Sequence, residues 1–116
     1  MKRILVVDDE ENIRMLYQEE LQEEGYDVTV ASNGTEALEA LSKAPFDLVT
    51  LDIRMPGMDG INTVRAIKEK YRELAVILVT AYGEYKQDFS TWASDAYIVK
   101  SADLTELKAT IKGIIG

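Results

Sequence analysis

Short apolar runs alternate with stretches of helical periodicity along the whole chain. Arg3 to Val7, Asp27 to Ala31, Leu48 to Leu51, Val76 to Thr80 and Ala96 to Val99 are brief and rich in β-branched residues, which predicts strands. Between them apolar positions recur every three or four residues, the spacing of one helix face. The first helix has Ile13, Leu16, Tyr17 and Leu21 inward and ends at Gly25. Asn33 caps the second, with Glu36 completing a capping box and Ala37, Leu38 and Leu41 inward. The third buries Ile61, Val64, Ile67 and Tyr71, and a fourth follows Gly83, where Tyr85, Phe89 and Trp92 make a packed face. Asp103 with Glu106 caps a last helix that faces inward through Leu104, Leu107, Ile111 and Ile114.

The pattern is a βα unit repeated five times, with no linker and no repeat, and residues 1–116 make one domain of ordinary size. Such alternation favours a parallel sheet with helices on both faces, because crossovers between parallel strands are almost always right-handed. The fourth strand is apolar enough to be buried on both faces, which places it inside the sheet. In these α/β folds ligands bind at the carboxyl ends of the strands, where the strand order reverses.

Composition removes whole classes of chemistry. The chain has no Cys and no His, so disulfides, Cys nucleophiles, ordinary zinc sites and His-based triads are excluded. Any catalysis must use carboxylates, hydroxyls and lysine. A net charge of -8 without a basic stripe argues against direct nucleic-acid binding. No apolar run approaches the roughly 20 residues of a membrane span, and Lys2 and Arg3 lead straight into a strand rather than a signal-peptide core. A cytoplasmic location is the simplest expectation.

The remaining polar groups gather at predicted strand ends: Asp8 and Asp9 after strand one, Asp52 after strand three, Thr80 at the end of strand four and Lys100 after strand five. Asp9 alone could be a helix cap, but five polar groups on one edge are hard to read as caps. Three carboxylates in one crevice repel and raise one another's pKa unless a cation lies among them. Their oxygen-only chemistry suits a hard divalent ion, Mg2+ above all. Glu10 either lies near that metal or is a solvated acid in the first turn of the helix.

Val6-Val7-Asp8-Asp9-Glu10, the stretch Asp52 to Gly60 with Met55, Pro56, Gly57, Met58 and Asp59, then Thr80-Ala81, then Tyr97-Ile98-Val99-Lys100 together resemble the receiver domain of bacterial response regulators. The likeness runs through essentially the entire chain and is of the stand-alone, chemotaxis-regulator type. It implies a flavodoxin-like, doubly wound five-stranded sheet of order 2-1-3-4-5 with five helices.

It also implies roles. Asp52 would be the phosphoryl acceptor, since a carboxylate is ionised at neutral pH and attacks phosphorus without a general base. Asp9, Asp52 and the main-chain carbonyl of Arg54 would ligate Mg2+, with Asp8 acting through a coordinated water. Lys100 and Thr80 would hold phosphoryl oxygens, and Thr80 with Tyr97 would form the switch. The phosphodonor would be a sensor histidine kinase or a histidine phosphotransfer domain, and the chain would relay the group or dock on a target. Read from the residues alone, Tyr97 is an ordinary strand aromatic, and only the family resemblance makes it part of a switch. Met55 and Met58 fill gaps, Pro56, Gly57 and Gly60 shape the turn, and Asp59 caps the third helix.

Two features depart from the family pattern. Ser101 follows Lys100 where the family carries a proline after a cis peptide, so a trans bond is expected, because cis costs about 2.5 to 4 kcal/mol before other residues. The stretch from Thr80 to Lys100 is also slightly short, which implies a trimmed or shifted fourth helix. Two further functions remain open. A phosphohydrolase with an aspartyl nucleophile usually places a second acid two residues on, where this chain has Arg54. A receiver-like scaffold would bind partners without phosphorylation.

Overall fold

A computed structural model of the chain describes residues 1–52, 60–80, 95–101 and 103–116. Among them are five strands, β1 (Arg3–Val7), β2 (Asp27–Ala31), β3 (Leu48–Leu51), β4 (Ala75–Thr80) and β5 (Ala96–Val99). The helices among these residues are α1 (Glu11–Glu23), α2 (Gly34–Lys43), α3 (Gly60–Lys70) and α4 (Thr105–Ile115). All strand pairings are parallel, in the order β2-β1-β3-β4-β5. This is the expected fold class. The helix predicted after Gly83, with Tyr85, Phe89 and Trp92, lies outside the described residues, as do Met55, Pro56, Gly57, Met58 and Asp59.

Side chains alternate across each strand, so the sheet supports two separate cores. On one face Ile4, Val6, Leu48, Ile77, Val79 and Ile98 pack with Tyr17 and Leu21 of α1 and with Leu107 and Ile111 of α4. On the other, Leu5, Val7, Val49, Leu51, Val76 and Leu78 meet Ala37 and Leu41 of α2 and Val64 and Ile67 of α3. Every residue of β3 is buried, Thr50 included, which is why the strand reads as a continuous apolar run. β4 does lie in the interior, between β3 and β5.

Local sequence sets most helix ends. Gly25 takes a φ of 96° that side chains disfavour, and there the N–H of Tyr26 reaches the Leu21 carbonyl at 3.2 Å while the Gly25 N–H reaches that of Gln22 at 3.0 Å. This is a Schellman closure, and its usual apolar contact is supplied by Tyr26 and Leu21 in one core. Asn33 accepts the Glu36 N–H at 2.8 Å as predicted. The return arm of the box differs, because Glu36 Oε1 accepts from the N–H and hydroxyl of Ser32, each at 2.8 Å.

Three helix expectations need correction. Leu16 is 36 % exposed, since a stripe through Ile13, Tyr17 and Leu21 leaves it on the flank. Ile114 is 39 % exposed, and Ile115, four residues beyond buried Ile111, packs on the core instead. Asp103 stands one residue before the N-cap, Leu104. It accepts from the Thr105 N–H at 2.9 Å and hydroxyl at 2.6 Å, while its own N–H goes to the Ser101 hydroxyl at 3.1 Å rather than to Glu106.

The amino ends of β4 and β5 are tied together independently of the ladder between them. Asp95 donates its N–H to the Val76 carbonyl at 2.7 Å and accepts the Val76 N–H on its carboxylate at 2.8 Å. Lys68 of α3 caps this arrangement, with Nζ at 2.7 Å from the Leu74 carbonyl and 3.3 Å from the Asp95 carboxylate.

Candidate functional site

Alternation along the strands carries the same face one step past the sheet. Asp8 continues Ile4 and Val6, Asp52 continues Leu48 and Thr50, and Lys100 continues Ala96 and Ile98. These three side chains therefore meet above the α1 and α4 face, at the carboxyl edge of β1, β3 and β5. Lys100 Nζ lies 2.8 Å from Asp8 Oδ2, 2.9 Å from Asp52 Oδ2 and 3.7 Å from Glu10 Oε1. The Lys100 side chain is 12 % exposed, that of Asp8 4 % and that of Asp52 1 %. The cation that a cluster of carboxylates requires is here supplied by the chain itself.

Electrostatics follow from this burial. Desolvation pushes the Asp8 carboxyl above the ordinary range, and the bonds from Lys100 and from the Glu10 N–H only partly offset it. Burial also favours the neutral amine at Lys100, but the hydrogen bonds and charges of Asp8 and Asp52 outweigh it and hold the ammonium above the ordinary lysine value. Below the cluster, burial lifts the Tyr17 hydroxyl to about 12, with the Lys100 charge opposing and the Asp8 and Asp52 charges adding to the rise. The main chain fixes the acids in place: the Asp8 N–H binds the Ala31 carbonyl at 3.1 Å, and the Asp52 N–H binds the Val7 carbonyl at 3.0 Å.

Carboxylate oxygens of Asp8, Asp9 and Glu10 lie within 4.8 Å of one another, with Asp8 buried and the other two exposed. An oxygen-rich cluster with one buried and two solvent-facing carboxylates fits a hard divalent ion that keeps part of its water shell. Glu10, left between two readings by the sequence, stands at the N-cap of α1 and belongs to this cluster.

Of the remaining predicted residues, Thr80 closes β4 opposite Val99 in the ladder, and its side chain lies outside the described part of the structure. Arg54 also lies outside it. Tyr97 pairs with Leu78 and packs, half-buried, against the α2 and α3 core, on the face opposite Lys100. No peptide bond among the described residues is cis, so the bond from Lys100 to Ser101 is trans, as serine in place of proline predicts. Sequence reasoning missed Arg14. Its Nη1 donates to the Asp8 main-chain carbonyl at 2.8 Å. The available signal was its isolation, since it is the one Lys or Arg between Arg3 and Lys43.

Residues 4–112 match the response regulator receiver domain. The chain is 37% identical over 113 residues to sporulation initiation phosphotransferase F of Bacillus subtilis (strain 168), covering 96% of this chain and 91% of that protein. It is 34% identical over 117 residues to the transcriptional regulatory protein PcoR of Escherichia coli, spanning 99% of this chain but only 52% of that longer regulator. Among solved structures, the response regulator protein TrrA from Thermotoga maritima in complex with Mg(2+)-BeF superposes with a TM-score of 0.93 at 52% identity, covering 98% of this chain and 99% of that one. TrrA in complex with the histidine kinase ThkA gives a TM-score of 0.92 at 51% identity, with both chains fully covered. The chain belongs to the response regulator receiver domain family, the signalling domain of two-component systems. No helix among the described residues is long and apolar enough to cross a membrane.

Proposed function

We propose that residues 1–116 act as one receiver that takes a phosphoryl group from a phosphohistidine onto Asp52. The observation that carries this reading is the buried Asp52 carboxylate held on Lys100 beside Asp8 at the carboxyl edge of the sheet. An Asp52 oxygen attacks phosphorus, the phosphorus–nitrogen bond breaks, and the imidazole leaves with the electron pair. Lys100 then transfers its ammonium from the carboxylate to the phosphoryl oxygens, and the Thr80 hydroxyl takes another of them. Asp8, Asp9 and Asp52, with the Arg54 carbonyl, would hold Mg2+. The chemistry such an ion would supply there is neutralisation of charge on the phosphoryl oxygens.

The relative bound to Mg(2+)-BeF supports that choice of ion, and the relative bound to a histidine kinase supports a sensor kinase or a histidine phosphotransfer domain as donor. The cytoplasm is the compartment this exchange implies. The output is a partner-binding surface altered through Thr80 and Tyr97, with the chain serving as a relay intermediate or docking regulator rather than an enzyme acting on other substrates. Intact-mass measurement after incubation with acetyl phosphate and Mg2+ tests the proposal. A durable single phosphoryl adduct, absent in Asp52→Asn, is the expected result. Turnover without an adduct would instead indicate a phosphohydrolase, and no reaction a scaffold.

A further inference from the structure

Arg14 stands alone as a cation on a helix that also carries Glu11, Glu19, Glu20 and Glu23, and it points toward the acid loop rather than pairing along the helix. Its guanidinium donates to the Asp8 carbonyl at 2.8 Å, in a half-buried setting. The Asp8 N–H is held at 3.1 Å by the Ala31 carbonyl at the end of β2, and Asp8 Oδ1 accepts the Glu10 N–H at 2.9 Å. The peptide that joins Asp8 to Asp9 is thus held at its carbonyl by α1, while the N–H groups of the peptides before and after it are bonded to β2 and to the Asp8 carboxylate. Because the peptide is planar, holding its carbonyl also fixes where the Asp9 N and Cα lie, the base from which the exposed Asp9 side chain extends. Glu36, gripped by Ser32 immediately after β2, also feels the Arg14 charge.

We propose that Arg14 is a positioning residue for the divalent-cation ligands, acting through the Asp8 carbonyl to aim Asp9. This rests on the reading of Asp8 and Asp9 as metal-holding residues. Two physical effects of removing Arg14 have opposite signs. Loss of a positive charge near the acids strengthens cation binding by Coulomb's law. Loss of the bond that orients a ligand-bearing peptide weakens it, commonly about tenfold or more for partners one step removed from a metal.

The test is thermal denaturation of the full chain across a Mg2+ titration, with a parallel melt in EDTA. The variants are Arg14→Ala, Arg14→Lys and Arg14→Ala combined with Glu36→Gln, which removes the two opposite charges together. The expected result is an apparent Mg2+ dissociation constant about tenfold weaker in Arg14→Ala, as weak in the charge-balanced double variant, and intermediate in Arg14→Lys. A residue that only supports the fold lowers the EDTA melting temperature and leaves the Mg2+ dependence unchanged, and that outcome, or tighter binding, overturns the proposal. If Arg14→Ala does not fold, Arg14→Lys decides by the same criterion. A wild type that shows no response to Mg2+ overturns the metal reading together with this one, whereas equal responses in wild type and variants overturn the role of Arg14 alone.

Discussion

Replacing Lys100 by Met removes the ammonium between Asp8 and Asp52 while keeping an apolar stem of similar reach. At an effective dielectric of about 20, each ammonium–carboxylate contact is worth about 6 kcal/mol of attraction, and the two carboxylates, no more than about 6 Å apart, repel by about 3 kcal/mol. Taking three ions out of water offsets much of that gain, so the intact cluster adds little net stability. Truncating one member is different, because it leaves two carboxylates, 4 % and 1 % exposed, facing each other without a cation. Breaking buried pairs in this way costs about 3 to 5 kcal/mol. The lower end is expected here, since Asp8, already shifted upward by burial, can take a proton.

Urea denaturation at pH 7 in EDTA should therefore show Lys100→Met less stable by about 3 kcal/mol. The pH dependence has a definite sign. A carboxyl whose folded-state pKa is raised stabilises the fold below its unfolded value, and that contribution is lost as pH rises through the folded value. The variant's deficit is thus largest at neutral pH and shrinks as pH falls through the Asp8 titration. On the proposed ligand set, Lys100 occupies carboxylates that Mg2+ would use, so added Mg2+ should stabilise the variant more than the wild type. Equal stability of the two proteins in EDTA, with equal Mg2+ increments, would refute the view of Lys100 as the resident counterion.

Three other expectations are simpler. Asn33→Ala should cost about 1 kcal/mol in urea melts, because it orphans the Glu36 N–H at the start of α2. Tyr17, with its folded pKa raised to about 12, should resist ionisation in an ultraviolet pH titration, and its contribution to stability should be complete below pH about 10 and lost as pH rises through about 12. A Tyr17 that ionises near the ordinary tyrosine value of about 10 would contradict its burial. Ile77→Ala, at a fully buried position in the centre of β4, should cost about 2 to 5 kcal/mol, measured by the same denaturation.

The strands were legible because parallel strands covered on both faces leave no room for polar residues, and β1, β3 and β4 carry almost none. Edge strands gave the same signal more faintly, with Asp27 and Val99 exposed at the ends of β2 and β5. Helix faces were legible to within one flank. Leu16 and Ile114 were misplaced because apolar spacing cannot tell a stripe's centre from its border. Asp8, Asp52 and Lys100 could be placed on one edge by strand order alone. That the lysine lies directly on both acids could not, since it depends on how far a flexible side chain reaches. Arg14 escaped notice because it acts on a backbone carbonyl, and no motif encodes such a contact.

The clamp at Asp95 has a consequence for how this chain can vary. Asp95 fixes where β5 begins against Val76, and five residues later the strand delivers Lys100 to the acids. The count that matters for the lysine therefore starts at Asp95, not at the end of β4. Residues can be gained or lost between Thr80 and Asp95 without altering that count, whereas one residue inserted between Asp95 and Val99 would turn Val99 toward the acids and the lysine to the opposite face. The chemistry at Lys100 is thus tied to the length of chain that follows Asp95.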